Sequence, residues 1–288
     1  MSTKNPMSST PPSDLRFAEA VRVFARIGLL SFGGPTAQIA VMETDDLVSL
    51  STAQIRGLTT AQVVALTTDQ FLSLGTDQVA SLKAAQIRAI ETADLQALSS
   101  GQIVSLTRSQ VAALSYAQVA ALQTDQVAAI ETADLRAFTA SQLAALSTSQ
   151  IRALDTEQIA SLAPGKLAAL GTAAVAAFTT DQIRALSGSQ IASLTNAQIV
   201  ALSSDAFEAL DSTQLGSLSA RQIAAIDTAD LASLSTTTIA ALSSWQTASL
   251  TTAQVHALTT GQVAAIETQD LAALRRTQWD ALSSTQVQ

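Results

Sequence analysis

The sequence predicts an all-α fold, a solenoid of about thirty short helices with one helix in each eight-residue repeat. Three observations support this prediction. The chain has an unbroken period of eight residues, each repeat carries the same arrangement of apolar and small side chains, and each repeat opens with a helix-capping signal. Residues 43–288 are therefore assigned to one octapeptide-repeat region.

The period is set by a recurring glutamine. Gln54, Gln62 and Gln70 are each eight residues apart, and the same phase holds to Gln286 without an insertion. We number the octad so that this glutamine is position 4, and Asp46 with Leu47 extends the phase one repeat upstream. A fixed short period is the signature of solenoid proteins, in which each repeat buries its apolar face against its neighbours.

Three positions of the octad are apolar or small. Position 5 is apolar in Ile55 and Phe71, and position 8 is Leu, Ile or Phe in every complete repeat. Position 7 is Gly, Ala or Ser throughout, beginning with Gly57 and Ala65. A site that stays small in every repeat indicates that a neighbouring backbone packs against it. We expect positions 5 and 8 in the core and the variable positions 3 and 6 on the outer surface.

Positions 1 to 4 carry the helix-start signal. They read mostly Ser or Thr, then Thr, a variable residue and Gln, as in residues 147–150. In a capping box the position 1 hydroxyl accepts a hydrogen bond from the position 4 backbone N–H, and the glutamine side chain reaches back to the position 1 backbone. Pro164 falls at the first helical position, which tolerates proline. Several octads have an acidic residue at position 3, in the first turn, where the helix dipole stabilises negative charge. These residues are Asp69, Asp77, Asp125, Glu157 and Asp181.

Two other architectures are weighed against short helices. In one continuous helix, eight residues advance about 800°, so the apolar stripe would rotate by about 80° in each repeat and could not be buried. A β-solenoid stays open as the alternative, although Ala-rich repeats with a capping signal fit strands poorly. An isolated octad is far shorter than the roughly 12–15 residues that a marginally stable helix needs, so stability must be collective.

The amino-terminal segment differs from the octads. Residues 1–14 contain Pro6, Pro11, Pro12 and several Ser, and we expect a disordered tail there. Residues 15–42 are more apolar, but their longest apolar stretch includes charged residues and is shorter than the roughly 20 residues of a spanning helix. The layout is not that of a signal peptide. We expect a cytoplasmic location and keep membrane association and non-classical export as alternatives.

Residues 15–42 contain a motif that resembles a known family. The matching residues are Arg26, Gly28, Ser31, Phe32, Gly33, Gly34 and Pro35. The segment resembles the amino terminus of bacterial chromate transporters, which implies membrane contact. Where that family continues into membrane helices, this chain changes to octads at about Glu43. We therefore expect a captured fragment that caps the first octad, without intact transport function.

The octads also resemble a known type of repeat. Their pattern, Leu-Ser/Thr-x-x-Gln-Val/Ile-x-Ala, is similar to repeats found in long bacterial repeat proteins. That resemblance implies a repeat family and no chemistry.

The composition argues against most functional chemistry. The net charge is −8 and the Lys and Arg residues are scattered, so nucleic-acid binding is not expected. The chain has no Cys and one His, His256 at position 6, so we expect no catalytic residues, no metal site and no cofactor. The expectation is a non-enzymatic structural or protein-interaction scaffold that meets an unknown protein partner or assembles with itself. The alternative is a membrane-associated protein directed by residues 15–42.

Overall fold

The computed structural model describes residues 39–287. Within that range the regular structure consists of about thirty short helices, one in each octad, and contains no strand. The predicted α-solenoid is confirmed, and the β-solenoid alternative is not supported. The expected disordered tail at 1–14 and the chromate-transporter-like motif at 26–35 lie outside the described residues.

The chain divides into two compact units, with the division between Ala113 and Leu114. In the described part of the first unit the helices are α1 (Thr44–Val48), α2 (Thr52–Gly57), α3 (Thr60–Val64), α4 (Thr68–Ser73), α5 (Thr76–Ser81), α6 (Ala84–Ala89), α7 (Thr92–Ala97), α8 (Ser100–Val104) and α9 (Arg108–Ala113).

The second unit continues the same pattern. Its helices are α10 (Tyr116–Ala121), α11 (Thr124–Ala129), α12 (Thr132–Leu135), α13 (Ala140–Ala144), α14 (Thr148–Ala153), α15 (Thr156–Ala160), α16 (Pro164–Leu167), α17 (Thr172–Ala176), α18 (Thr180–Ala185), α19 (Gly188–Ala192), α20 (Asn196–Ala201), α21 (Ser204–Glu208), α22 (Ser212–Gly216), α23 (Ala220–Ala225), α24 (Thr228–Ser233), α25 (Thr236–Ile239), α26 (Ser244–Thr247), α27 (Thr252–Ala257), α28 (Thr260–Ala265), α29 (Thr268–Leu271) and α30 (Arg276–Trp279).

Two extended residues connect one helix to the next. Around α14, Ser147 at position 1 has φ −71° and ψ 163°, and Leu154 at position 8 has φ −66° and ψ 136°. These angles are open to any residue, and no described residue has a positive φ. The octads are thus joined without a left-handed residue, which explains why so few glycines are needed.

The predicted capping boxes are present. The Gln150 backbone N–H donates to Ser147 Oγ at 3.2 Å, and the Ser147 backbone N–H donates to Gln150 Oε1 at 2.8 Å. An aspartate serves equally well at position 1, where Asp155 Oδ1 accepts from the Gln158 backbone N–H at 2.7 Å. Pro164 begins α16, as predicted. Each cap satisfies backbone donors that a helix leaves unpaired in its first turn.

Positions 5 and 8 form the core of each unit. From Leu47 to Ile266 every residue at these two positions is buried except Leu58, which is half-buried. Positions 3 and 6 are mostly exposed, as in Ser149 and Arg152. The predicted assignment of octad positions to core and surface is therefore confirmed.

Helices stack on helices three octads away. In the first unit α2 packs against α5, and in the second α11 packs against α14. Position 7 lies at this contact, since Ser217 Oγ donates to the Gly188 carbonyl oxygen at 2.8 Å and Ser193 Oγ to that of Pro164 at 2.7 Å. The small residue at position 7 thus faces the first turn of an earlier helix, which confirms the predicted close backbone contact.

Candidate functional site

The most regular chemical feature of both units is a series of buried glutamines at position 4. Gln110 is an example with an exposed fraction of 1%. Its Oε1 accepts a hydrogen bond from the Thr107 backbone N–H at 2.7 Å and so caps the amino terminus of its own helix. Its Nε2 donates to the carbonyl oxygens of Val79 and Leu82, both at 2.8 Å. One side chain therefore binds two helices that are four octads apart.

The same pair of bonds recurs along each unit. In the second unit Gln182 Nε2 donates to Ile151 and Leu154, at 2.8 and 2.7 Å, and these carbonyls again lie 31 and 28 residues earlier. We call this series the amide ladder. Its members are Gln70, Gln78, Gln86, Gln102 and Gln110 in the first unit and Gln142, Gln150, Gln158, Gln182, Gln190, Gln198, Gln214, Gln222, Gln246, Gln254, Gln262, Gln278 and Gln286 in the second.

The ladder defines the coil of each unit. Position 7 contacts reach three octads back, whereas the ladder reaches four, so one coil comprises between three and four octads. The ladder amides donate to position 8 carbonyls, which follow the helix end and lie among the carbonyls that a helix leaves unpaired. They also donate to position 5 carbonyls, which already accept the position 8 backbone N–H of their own octad, as Val79 does from Leu82. Adjacent coils are thus held together by side-chain amides as well as by apolar packing.

The sequence predicted the capping bond of this glutamine but not its bond to a carbonyl of another coil. The overlooked signal is that position 4 never carries Glu in the octads from Ser51 onward. A capping box accepts Glu or Gln, and the helix dipole favours Glu. Only the amide can both accept and donate. The choice of Gln therefore indicates a second bond beyond the helix that it caps.

From Ser51 onward, four octads carry a carboxylate in place of the position 4 amide: Asp94, Asp134, Asp230 and Asp270. A carboxylate cannot donate, and at Asp94 and Asp270 a hydroxyl from three octads earlier donates to it instead. Thr68 Oγ1 donates to Asp94 Oδ1 at 2.7 Å, and Ser244 Oγ donates to Asp270 Oδ1 at 2.5 Å. Within the described residues no group of three or more His, Cys, Asp or Glu is placed to hold a metal ion.

His256 lies at the exposed position 6, as predicted, on α27. Its Nδ1 is 3.1 Å from the carbonyl oxygen of Ala281, three octads later. Arg88 makes the equivalent contact in the first unit, where its Nε donates to the Ala113 carbonyl oxygen at 3.3 Å. The two side chains occupy matching places at the edge between coils. The geometry assigns them a packing role.

The exposed surface carries apolar side chains at position 6. These are Val48, Val64, Leu72 and Val104 in the first unit and Val200 in the second. In the first unit α1, which carries Val48, packs against α4, which carries Leu72. The ladder amide of Gln102, in the octad of Val104, reaches the Leu72 carbonyl oxygen at 3.5 Å. Val48, Leu72 and Val104 thus belong to neighbouring coils of one unit, and we call them the position-6 row.

The last coil of the second unit leaves part of its interior uncovered. A cavity of about 360 Å³ is lined there by Val263, Ile266, Leu271, Trp279 and Leu282, among others. Trp279 and Val287 occupy position 5, which is buried in the preceding coils, yet they are 44% and 62% exposed. Among the described residues, these two position 5 side chains are therefore much less covered than those of the preceding coils.

The chromate-transporter-like residues Arg26, Gly28, Ser31, Phe32, Gly33, Gly34 and Pro35 all lie outside the described residues. Only the end of segment 15–42 is described. Ile39 and Met42 are buried there, and their carbonyl oxygens accept from Gln70 Nε2 at 3.0 and 2.7 Å. None of the helices in the described range is long and apolar enough to cross a membrane.

Comparison with known families agrees with this geometry. A model described as the ALTTAQ repeat matches residues 39–76, 87–124, 127–164, 162–196 and 223–260, which together make up more than half of the chain. The six letters correspond to positions 7, 8 and 1 to 4, as in residues 65–70, which read ALTTDQ. No curated protein matches the chain. The resemblance of the octads to a tandem octapeptide-repeat family is thus supported, whereas no match to a chromate transporter accompanies it. The chain belongs to the ALTTAQ repeat family.

Proposed function

We propose that the protein is a non-enzymatic scaffold whose exposed positions 3 and 6 contact a protein partner. The observation that supports this proposal is that some positions of the octad maintain the fold while others vary and are exposed. Position 4 is mostly Gln, position 5 is mostly apolar, position 7 is small and position 8 is a large apolar residue, and all four serve the fold, whereas the residues that vary most freely are exposed on the surface. Repeat proteins use such surfaces to bind partners over an extended area.

The polar side chains support a structural role. Hydroxyls at position 1 cap helices, as Thr179 Oγ1 does for the Gln182 backbone N–H at 3.2 Å. Ladder amides bind coils together, and the carboxylates of Asp94 and Asp270 accept from hydroxyls of a neighbouring helix. These hydroxyls, amides and carboxylates are therefore hydrogen-bonded to the backbone or to each other. A nucleophile needs a base beside it, and we infer that the octads provide scaffold rather than catalysis.

The position-6 row is the part of the surface best suited to a partner. Val48, Leu72 and Val104 are between 44% and 49% exposed, on neighbouring coils of the first unit. Exposed apolar side chains that lie near one another mark contact sites for other proteins. Polar residues beside them, such as Asp69 and Arg108, would form the rim of such an interface.

Membrane association through residues 15–42 is the other function that the sequence suggested. The motif on which it depends lies outside the described residues, and the described end of the segment bonds to the repeats through Ile39 and Met42. No observation in residues 39–287 favours this second function, so the scaffold is the single proposal.

Site-specific photo-crosslinking tests the scaffold proposal. A benzophenone amino acid placed at Leu72 or Val104 of the full chain should give one discrete crosslinked protein in the cells that make it. The matched control is the same amino acid at Ser100, an exposed residue at position 2 of the octad that carries Val104. Equal crosslinking at Ser100 and Val104, or none at either place, would reject the position-6 row as the partner surface.

A further inference from the structure

Four helices of the first unit, α1, α4, α5 and α8, form one connected face around the position-6 row. Helix α1 packs against α4, and α5 packs against α8. Ladder amides join these two pairs. The octad of α5 is bonded to that of α1, since Gln78 Nε2 donates to the Leu50 carbonyl oxygen at 2.8 Å. The octad of α8 is bonded to that of α4 in the same way, by Gln102 Nε2 and the Leu74 carbonyl oxygen at 2.8 Å.

The charged side chains of this face are all negative. The octads of its four helices contain no Lys, Arg or His. The basic residues in the described part of the first unit lie in other octads and are Arg56, Lys83, Arg88 and Arg108. The carboxylates of the face are Glu43, Asp45, Asp46, Asp69 and Asp77. None of them forms an ion pair with a Lys or Arg among residues 39–287. We call this surface the acidic face.

Carboxylates and apolar side chains are neighbours on the acidic face. Asp45 precedes Val48 by three residues on α1, and Asp69 precedes Leu72 by three residues on α4. Residues three apart lie next to each other on a helix surface, and these four side chains are all exposed. The helix dipole accounts for an Asp in the first turn. It does not account for an exposed Val or Leu beside that Asp, which indicates a contact surface.

We propose that the acidic face binds a basic amphipathic helix of a partner protein. Its apolar side chains would lie on the position-6 row, and its Lys or Arg side chains would lie beside Asp45, Asp69 and Asp77. The inference rests on the proposed scaffold function and names the class of its partner. Unpaired carboxylates around an apolar row select a partner of opposite charge, because like charges brought together repel.

The spacing of the row suits a helix. The row has one apolar residue on each of three neighbouring coils, and packed helices lie about 8–10 Å apart. Residues i and i+7 of a helix are about 10 Å apart along its axis, so one apolar residue in every second turn reaches each coil in succession. Amphipathic helices are commonly recognised through such regularly spaced apolar anchors.

Fluorescence anisotropy with the full chain and defined peptides tests the proposal. The probe is a labelled Leu–Lys peptide whose leucines lie on one face when it is helical. One control peptide has Glu in place of every Lys, and another has the Leu–Lys sequence scrambled. We expect saturable binding of the amphipathic Leu–Lys peptide and at least about tenfold weaker binding of both controls. Raising the ionic strength from about 0.02 M to about 0.5 M should weaken binding, because salt screens exposed charges.

Charge-removing variants locate the binding surface. Asp69→Asn with Asp77→Asn removes two carboxylates of the acidic face and should weaken binding of the Leu–Lys peptide about fivefold at low salt. The matched control is Asp125→Asn with Asp181→Asn, which removes two exposed position 3 carboxylates of the second unit and should leave binding unchanged.

Apolar variants test the position-6 row in the same assay. Leu72→Ser should weaken binding, whereas Val200→Ser, at the exposed position 6 of the second unit, should not. Unchanged far-UV circular dichroism must accompany every variant that binds less.

Three outcomes would overturn the inference. The Leu–Lys peptide could fail to bind, the Leu–Glu peptide could bind equally well, or substitutions in the two units could have equal effects. None of these results changes the crosslinks expected in cells at Leu72 and Val104. A discrete crosslinked protein together with any of them would leave the scaffold function standing and reject only the basic amphipathic partner.

Discussion

At the scale of single residues, the position 4 glutamine makes two different bonds that hold the fold. Its Oε1 accepts within its own helix while its Nε2 donates to the coil four octads earlier, as at Gln110. The first bond could be predicted because donor and acceptor are three residues apart. The second could not, because the sequence has no feature that specifies which octads stack. The absence of Glu at this position was the one available clue.

The substitution Gln110→Glu distinguishes the contribution of the capping bond from that of the bond to the earlier coil. Glu retains the capping oxygen and loses the donor, so a buried carboxylate would face the carbonyl oxygens of Val79 and Leu82. We expect the free energy of unfolding to fall by roughly 2–5 kcal/mol, measured by urea denaturation. The control, Ser109→Glu, places the same charge on the adjacent exposed residue and should change it by less than about 0.5 kcal/mol. Similar losses in both variants would contradict the donor role.

Thr247 differs from the position 4 glutamines in having a buried polar group without a hydrogen-bond partner. It occupies position 5, is fully buried, and its Oγ1 has no hydrogen-bond partner. Thr247→Val replaces the hydroxyl with a methyl group of nearly the same size and should raise the free energy of unfolding by about 1–3 kcal/mol. The same substitution at exposed Thr252 should leave stability unchanged. Thermal unfolding of the two variants decides the point, and a destabilised Thr247→Val protein would reject the assignment.

At the scale of the element, each helix has only four to six residues and depends on its caps and neighbours. The start of each helix could be predicted, since Ser147 and Gln150 form the expected box. The end was less predictable. Helix α14 runs to Ala153 at position 7, whereas α12 ends at Leu135 at position 5, although both octads carry Leu or Phe at position 8.

Ala113→Leu tests the close contact at position 7. Ala113 is buried on α9 and packs against α6, where Arg88 Nε donates to its carbonyl oxygen. A larger side chain must push the helices apart, so we expect a loss of about 1–3 kcal/mol. Ala112→Leu, at exposed position 6 of the same helix, should cost less than about 0.5 kcal/mol. Equal urea midpoints for the two variants would show that the octad phase is misassigned.

At the scale of the whole molecule, the period of eight predicted the class of fold and the number of helices but not the coil. Octad-internal signals such as the capping box at residues 147–150 repeat identically whether two, three or four octads form a turn. The coil is revealed only by contacts such as that between Gln182 and Leu154, 28 residues apart.

Equivalent octads should be interchangeable as long as the phase is kept. Each ladder amide donates to a position 8 carbonyl 28 residues earlier, so removing one complete octad lets every later glutamine find an equivalent carbonyl. Removing half an octad shifts every later residue by four positions and places exposed residues in the core. The stability of a linear repeat array is a sum over such neighbour contacts.

The most direct test of the solenoid is therefore a paired deletion in α19, removing residues 187–194 in one protein and residues 187–190 in the other. Far-UV circular dichroism during urea denaturation is the measurement. We predict that the full-octad deletion keeps the helical spectrum and a midpoint close to that of the parent, whereas the half-octad deletion loses helix and unfolds at lower urea. Equal behaviour of the two deletions, whether harmless or damaging, would contradict an amide-bonded solenoid of interchangeable octads.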